Sequence, residues 1–379
     1  MREIASAEVY ALVKELQARL SGFYFEKFYE LGKGAFLFKL SRQKEKEELL
    51  CVLKKTLNLT KYVESPSPIS NFYLAARKRM MGFKIEGISQ INEDRIVLIK
   101  ARKGDASINI IIEMFGQGNL VIADGEMKVL LSYAPISFKD RTIRQGEQYY
   151  APQSASIKLS EISENKIEQL LNDAKGKHVG VASFLARSVN TGSLYIENAV
   201  QRAGADPKAS IDSLAQESIK EIAASVAKIR DYAESPEPYI YSKEGKVIDY
   251  SICPIQKYSG LEAKKAGSLQ EALDIYYHEA PEAAAYEESR ENESSEAKAI
   301  EKSIEKQKEL LKAAKSEAQL CRKAGEEIFK ERALIDQIIE ELRRNRRITV
   351  EQLQARFPSV KILELNLKDK TVKIRLESQ

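Results

Sequence analysis

Residues 95–115 carry two runs, RIVLIKA and INIIIEMF, on either side of the turn-forming KGDAS. β-branched residues at this density favour extended chain, and the Gly-Asp pair between them favours reversal, so the spacing predicts two paired strands. A basic helix is expected just before them. Ser70 is placed to cap it, because a serine hydroxyl can accept an unpaired first-turn N–H. Arg77, Lys78 and Arg79 then sit beside the apolar Phe72, Leu74, Met80 and Met81. Between this helix and the first strand lies Asp94-Arg95, a charged pair expected to be exposed where the chain enters the strand. A fold built from such pieces is α+β.

The chain has 379 residues, enough for two or three domains. Lys and Arg total 60 against 56 Asp and Glu, a net charge of +4, which excludes a uniformly basic coat but leaves room for a local basic face. Cys51, Cys253 and Cys321 are far apart and odd in number, so neither a disulfide framework nor zinc spacing is expected. The first twenty residues hold Arg2, Glu3, Glu8, Lys14, Glu15 and Arg19 and do not read as a signal peptide. No apolar run approaches the roughly 18–20 residues of a membrane span. The expectation is a cytoplasmic protein with no membrane partner.

Taken in order, Ala5–Leu20 is an amphipathic helix with Val9, Leu12, Val13, Leu16 and Leu20 on one face. Phe23–Tyr29 and Ala35–Leu40 are expected to pair around Leu31–Gly34. The Gly-Lys-Gly there reads as a turn, since neither Walker spacing nor a following helix accompanies it. Leu49–Leu59 is expected as one strand, and Ser65–Pro68 as a loop, because proline biases its neighbour to extended chain. MKVLLSYAP at 127–135 is a further strand, and GEQYYAP at 146–152 closes the region. Domain boundaries are expected at 1–165, 166–235, 236–280 and 281–379.

Lys166–Pro207 has helix-period apolar positions interrupted by Gly176, Gly180, Gly192 and Gly204. On the residues alone this is either a helix–hairpin–helix, presenting backbone N–H groups to phosphate, or a plain helical linker. Ile211–Ala233 is another helix. Pro238–Ile255 alternates and is expected to turn at Lys243–Gly245, and Ser268–Tyr277 is a short helix. From Ala283 to Arg344 the chain is rich in Glu, Lys, Ala and Leu. Ile300, Ile304, Leu311, Ala314, Ala318, Cys321, Ile328, Ile335, Ile339 and Leu342 form a three–four seam, with Gln307 and Arg332 as weak points. A long coiled-coil helix is therefore expected, with self-association through its seam. ITVEQLQARF, then a hairpin over Val360–Leu376 turning at Lys368–Lys370, make a small α/β tail.

Catalysis finds little support. The only histidines are His178 and His278, and no nucleophile pattern, HExxH, CxxC or P-loop is present. No metal and no cofactor is expected. Asp94-Arg95 reads first as a surface ion pair at a strand start, worth under about 1 kcal/mol.

One resemblance changes that weighting. Phe72, Leu74, Arg77-Lys78, Gly82, Ile85, Ile88, Gln90, Asp94-Arg95-Ile96, Glu113, Gly116, Gly118-Asn119-Leu120, Asp124 and the GEQYYAP segment together resemble the NFACT family, the Rqc2/RqcH/NEMF group of ribosome-associated quality control. The resemblance implies a β-rich Fpg/Nei-like N-terminal domain, a helix–hairpin–helix module, a return segment packing on the first domain, and a coiled coil. It implies that Asp94 and Arg95 engage tRNA. Glu8 matches an acidic family position near the start of the first helix and is a third candidate for tRNA binding. Arg77, Lys78 and Arg79 are candidates for RNA-backbone contacts. The implied partners are tRNA and the large ribosomal subunit holding peptidyl-tRNA, and the implied role is C-terminal tailing and rescue of stalled nascent chains, with no chemistry by the factor itself. The chain resembles the front half of such a protein, without the C-terminal RNA-binding domain. Two alternatives are a DNA-binding or repair protein, against which the absence of the glycosylases' N-terminal proline nucleophile weighs, and a fibronectin-binding adhesin, against which the missing signal peptide weighs.

Overall fold

The computed structural model describes residues 2–62, 70–138, 141–366, 369 and 371–375, with backbone alone at 138, 281–303, 324 and 327. The expected loop Ser65–Pro68 and most of the expected Lys368–Lys370 turn lie outside the described residues. One compact unit runs to Glu296 and a second from Ala297.

In the first unit, α1 (Ser6–Leu20) is followed by β1 (Tyr24–Gly32), β2 (Ala35–Arg42), β3 (Glu45–Val52) and β4 (Thr56–Leu59). Next come α2 (Asn71–Met80), β5 (Lys84–Gln90), β6 (Ile96–Lys103), β7 (Ala106–Glu113), β8 (Asn119–Asp124) and β9 (Val129–Ser132). Among the described residues these nine strands form one antiparallel sheet, in the order β4-β3-β2-β1-β5-β6-β7-β8-β9. The isoleucine run of β7 is explained by two-sided burial. Ile110 and Ile112 face the main core with Leu12 and Leu16 of α1. Ile111 faces a second core with Ile96, Leu98, Val121 and Ile143. The expected face of α1 is buried in full, and Ser70 Oγ accepts the Tyr73 N–H at 3.0 Å, capping α2 as expected.

Two strand expectations are corrected. Leu49–Leu59 is two strands, because the chain reverses at Leu53–Lys55 with Lys54 in the left-handed region at φ +70°. A strand, β5, stands between the basic helix and RIVLIKA. Its sequence KIEGISQ is broken by Gly87 and offers only two β-branched residues, so it gives a weak signal; the register Ile88↔Ile99 holds it in the sheet.

The short hairpin β10 (Ile136–Phe138) and β11 (Arg141–Ile143) leads to a helical module of α3 (Glu164–Asn172), α4 (Val181–Ser188), α5 (Ser193–Arg202) and α6 (Gln216–Glu234). The expected hairpin is β12 (Tyr239–Lys243) with β13 (Lys246–Ser251), joined on the other side of β12 by β14 (Glu262–Lys265), which carries no strand signal in sequence. α7 (Leu269–Glu279) packs on β4 and β13 and buries Tyr277 against Leu37 and Leu50.

The long helix α8 spans Pro281–Lys330, and α9 (Arg332–Arg344) follows after Glu331. In the second unit α10 (Val350–Arg356), β15 (Lys361–Asn366) and β16 (Thr371–Arg375) enclose a small core of Ile338, Ile348, Leu353, Val360 and Ile362. Seam residues Ile304, Leu311 and Ile328 are exposed, so no coiled-coil pairing of that seam is seen among the described residues. Among those residues no helix is long and apolar enough to cross a membrane.

Candidate nucleic-acid interface

Asp94 and Arg95 lie at the tip of the β5–β6 hairpin. Asn92 and Glu93 both take positive φ, +53° and +54°, and the Asp94 N–H closes on the Ile91 carbonyl at 3.0 Å. This is a type I′ turn, whose twist matches that of the flanking strands. Asp94 Oδ1 accepts the Arg95 N–H at 2.7 Å. Gln90 Nε2 donates to the carbonyls of Asp94 (2.8 Å) and Ser6 (3.1 Å), tying the turn to the start of α1. Asn190 Nδ2 donates to the Glu93 carbonyl at 2.9 Å, and the Ser160 N–H donates to the Glu93 carboxylate at 2.8 Å, tying it to the helical module. The Arg95 guanidinium is left at the edge, 30% exposed, donating to Glu3 Oε2 at 2.7 Å.

A polar groove of about 380 Å³ opens beside this turn, lined by Arg2, Glu3 and Arg95 and by the starts of α1 and α5. The first-turn N–H groups of a helix and its dipole favour anions. Two helix starts and the Arg95 guanidinium therefore border one concavity, whereas the Arg2 donors are all taken within the protein. The approach of the two helices depends on Gly192, which caps α5 at φ +112°; a Cβ there would stand 2.6 Å from Ala5 Cβ.

Glu8 does not reach this surface. It is fully buried, and both oxygens are engaged. Oε1 accepts from Arg2 Nη2 and Tyr195 Oη, each at 2.5 Å. Oε2 accepts from Arg2 Nη1 (2.9 Å), the Ala5 N–H (2.7 Å) and Tyr250 Oη (3.0 Å). Arg2 Nε donates to Asp249 Oδ1 at 2.8 Å, and Tyr258 Oη donates to Asp249 Oδ2 at 2.5 Å. Burial alone would lower the Arg2 pKa, but Glu8, Tyr250 and Asp249 together hold it well above its usual value. Burial, then the Glu8 charge, pushes the Tyr195 hydroxyl up; burial does the same to Tyr250, with Arg2 opposing and Glu8 adding. Glu8 thus positions Arg2. Sequence reasoning missed Arg2, which pairs with Glu8 six residues on but also with Asp249, Tyr250 and Tyr276, more than 240 residues away.

Arg77 and Lys78 are exposed and Arg79 is half-buried on α2, and none of the three lines the groove. Arg77 Nη1 donates to Tyr73 Oη (3.3 Å) and Arg79 Nη1 to the Ala75 carbonyl (3.0 Å). In the helical module, the N–H groups of Gly176 and His178 in the α3–α4 connection are directed at the Asp212 carboxylate (2.5 and 3.1 Å), not outward. The α4–α5 connection is the one that meets the groove. His178 Nδ1 lies 2.8 Å from Asp212, and His278 stacks on Tyr62 near Thr60. Among the described residues no three His, Cys, Asp or Glu side chains gather as a metal site.

A broad antiparallel sheet joined to a small helical module is the fold of the bacterial fibronectin- and fibrinogen-binding protein N-terminal regions. The fibrinogen binding protein from Staphylococcus aureus matches with a TM-score of 0.59 at 21% identity, over 72% of this chain and 98% of that one. The N-terminal part of the fibronectin/fibrinogen-binding protein from Streptococcus suis matches at 0.53 and 19%, over the same shares. A formamido-pyrimidine DNA glycosylase of Lactococcus lactis aligns with a TM-score of 0.31 at 12% identity, over 61% of this chain and 81% of that one.

The chain belongs to the NFACT family: its residues 6–377 match the NFACT N-terminal and middle domains. It is 25% identical to the archaeal Rqc2 homolog aRqcH of Methanocaldococcus jannaschii, over 91% of this chain and 52% of that protein. It is also 25% identical to the Rqc2 homolog RqcH of Bacillus subtilis, over 71% of this chain and 47% of that protein. The chain spans about half the length of these two relatives.

Proposed function

We propose that this chain is the RNA-gripping part of a ribosome quality control factor of the RqcH type. It holds tRNA, and with it the large ribosomal subunit that retains peptidyl-tRNA, in support of C-terminal tailing of the stalled nascent chain. It forms and breaks no covalent bonds. The observation that carries this reading is the placement of Arg95 on a hydrogen-bonded turn at the edge of a groove onto which two helix starts also open. A guanidinium presents a planar fork to phosphate or to a base edge, and Asp94 fixes the backbone that carries it. Further support comes from relatives named as ribosome quality control subunits in fission yeast and human. Arg77 and Lys78, exposed on α2, are the proposed additional backbone contacts. Glu8 acts from behind, by holding Arg2.

Crosslinking of the protein in cells, followed by sequencing of the bound nucleic acid, tests this. Enrichment of tRNA and large-subunit rRNA is expected. Enrichment of DNA, or of no nucleic acid, overturns it.

A further inference from the structure

α5 leads from the groove to a second concavity. Its start lines the groove, and its last residue, Arg202, lines a pocket of about 380 Å³ beside β12 and β14. The 10 residues of α5, at about 1.5 Å each, put the two roughly 15 Å apart along one helix. The floor of the pocket is aromatic. Tyr239 and Tyr241, two apart on β12, share one face of the strand, with ring centroids 6.3 Å apart at 25°. Tyr258 leans on Tyr241 at 4.7 Å and 53°. Hydrogen bonds fix these rings. The Tyr241 hydroxyl accepts the Ile255 N–H at 3.0 Å and lies 3.2 Å from Ser251 Oγ. Tyr258 Oη donates to Asp249, the carboxylate that also holds Arg2. Asn198 of α5 clamps the wall: its Nδ2 donates to the Pro254 carbonyl at 3.1 Å, and its Oδ1 accepts the Gln256 N–H at 2.8 Å.

The protein does not close this pocket itself. Tyr239 is half-buried, and its hydroxyl has no hydrogen-bond partner among the described residues. Ala263 stands opposite Tyr241 across the β12–β14 ladder, so only a methyl sits where a larger side chain would cover the ring. Arg202 is exposed and its Nη1 donates to Tyr232 Oη at 3.0 Å; among the described residues no carboxylate meets it. Lys257, also exposed, adds a second positive charge, with Nζ 5.9 Å from the Tyr258 ring centroid. Among the described residues no Asp or Glu lines the pocket. Ring faces below and uncompensated positive charge at the rim suit a planar ring that carries an anion. A nucleotide of single-stranded RNA has both, a base to lay on an aromatic ring and a phosphate for a guanidinium. A proline-rich peptide would use the rings but leave Arg202 unanswered.

We propose that this pocket takes one unstacked nucleotide of the bound RNA, with its base on Tyr239 and its phosphate on Arg202. The proposal rests on the RNA reading above and extends it from the groove to the far end of α5. Aromatic stacking accepts any base, so the pocket adds affinity for unpaired RNA and little sequence preference.

The test is titration of labelled tRNA with the intact chain at two salt concentrations, with melting temperatures to verify folding. The variants are Tyr239→Ala, Tyr239→Phe, Arg202→Gln, and Asp94→Ala with Arg95→Ala as the control for the groove. Tyr239→Ala is expected to bind at least about five-fold more weakly. Tyr239→Phe is expected to bind as the parent does, since it keeps the ring and loses only an unpartnered hydroxyl. Arg202→Gln is expected to bind more weakly, with the salt slope reduced by roughly 0.7 for one lost single-strand phosphate contact. Ultraviolet crosslinking of tRNA to the parent chain is expected to mark the peptide that holds Tyr239, a readout that needs no variant to fold; crosslinks confined to other peptides overturn the proposal. If either Tyr239→Ala or Arg202→Gln binds as the parent does while the Asp94, Arg95 variant is weakened, the pocket is overturned and the RNA reading stands. A proline-rich peptide bound by the parent and lost in Tyr239→Ala, with tRNA binding unchanged, overturns it in favour of that occupant. If the parent binds no tRNA, or if no variant changes its binding, both fall.

Discussion

Arg2 and Glu8 meet as a two-pronged ion pair, Nη1 to Oε2 at 2.9 Å and Nη2 to Oε1 at 2.5 Å. The pair joins parts of the chain that are far apart in sequence. Glu8 also takes the hydroxyls of Tyr195 from α5 and Tyr250 from β13, and Arg2 also takes Asp249. The start of α1, the helical module and the β12–β13 hairpin are thereby locked around one buried charge. The groove beside Arg95 inherits its shape from that lock.

Glu8→Ala leaves the Arg2 guanidinium without its main partner and two buried hydroxyls without an acceptor. Breaking a buried pair from one side costs about 3–5 kcal/mol. The expected result is a loss of that order in urea unfolding, with Glu8→Gln falling between it and the parent. An Ala variant as stable as the parent contradicts the role given to Glu8.

Alkaline pH acts on the same cluster. The Tyr195 and Tyr250 pKa values are raised in the folded chain above an unfolded value of about 10. A raised pKa means the neutral hydroxyl is favoured by folding, so this contribution is fully present below about pH 10 and is lost as pH climbs beyond it toward the folded values. Stability followed across this range is expected to fall above about pH 10, less steeply in a Tyr250→Phe variant. A stability that holds level or rises there contradicts the burial of these hydroxyls.

Gly192→Ala places a methyl against Ala5 and forces a side chain into a backbone conformation at φ +112°. The strain alone costs about 1–3 kcal/mol, and the contact forces the starts of α1 and α5 apart. Lower stability together with weaker tRNA binding is expected. Gly104→Ala, at φ +58° with nothing within 4 Å, isolates the strain; it is expected to cost less and to leave binding unchanged.

Local pattern made much of the first unit readable before its structure. The α1 face, the Ser70 cap and the turn between β6 and β7 each follow from a few neighbouring residues. What failed was of two kinds. β5 has too little β-branched character to stand out, so Asp94-Arg95 was read as a strand entry and not as a hairpin tip. The reversal at Lys54 depends on a lysine adopting positive φ, which no glycine or proline announces. The site itself was half legible: Arg95 stands out in sequence as part of a charged pair, whereas Asn190 and the start of α5 reach it only through the fold. Glu8 was found for its charge, but its burial among residues 2, 195, 249 and 250 has no local signature.

The most direct measurement is tRNA affinity of the Asp94→Ala, Arg95→Ala double variant beside the parent chain, with melting temperatures taken on both. Hydrogen bonds to charged groups contribute about 1.5–3 kcal/mol, so binding about tenfold weaker or more is expected. The melting temperature is expected to stay close to the parent's, because the Arg95–Glu3 pair lies at the surface. Unchanged affinity in a folded double variant would contradict the assignment of this turn as the RNA grip.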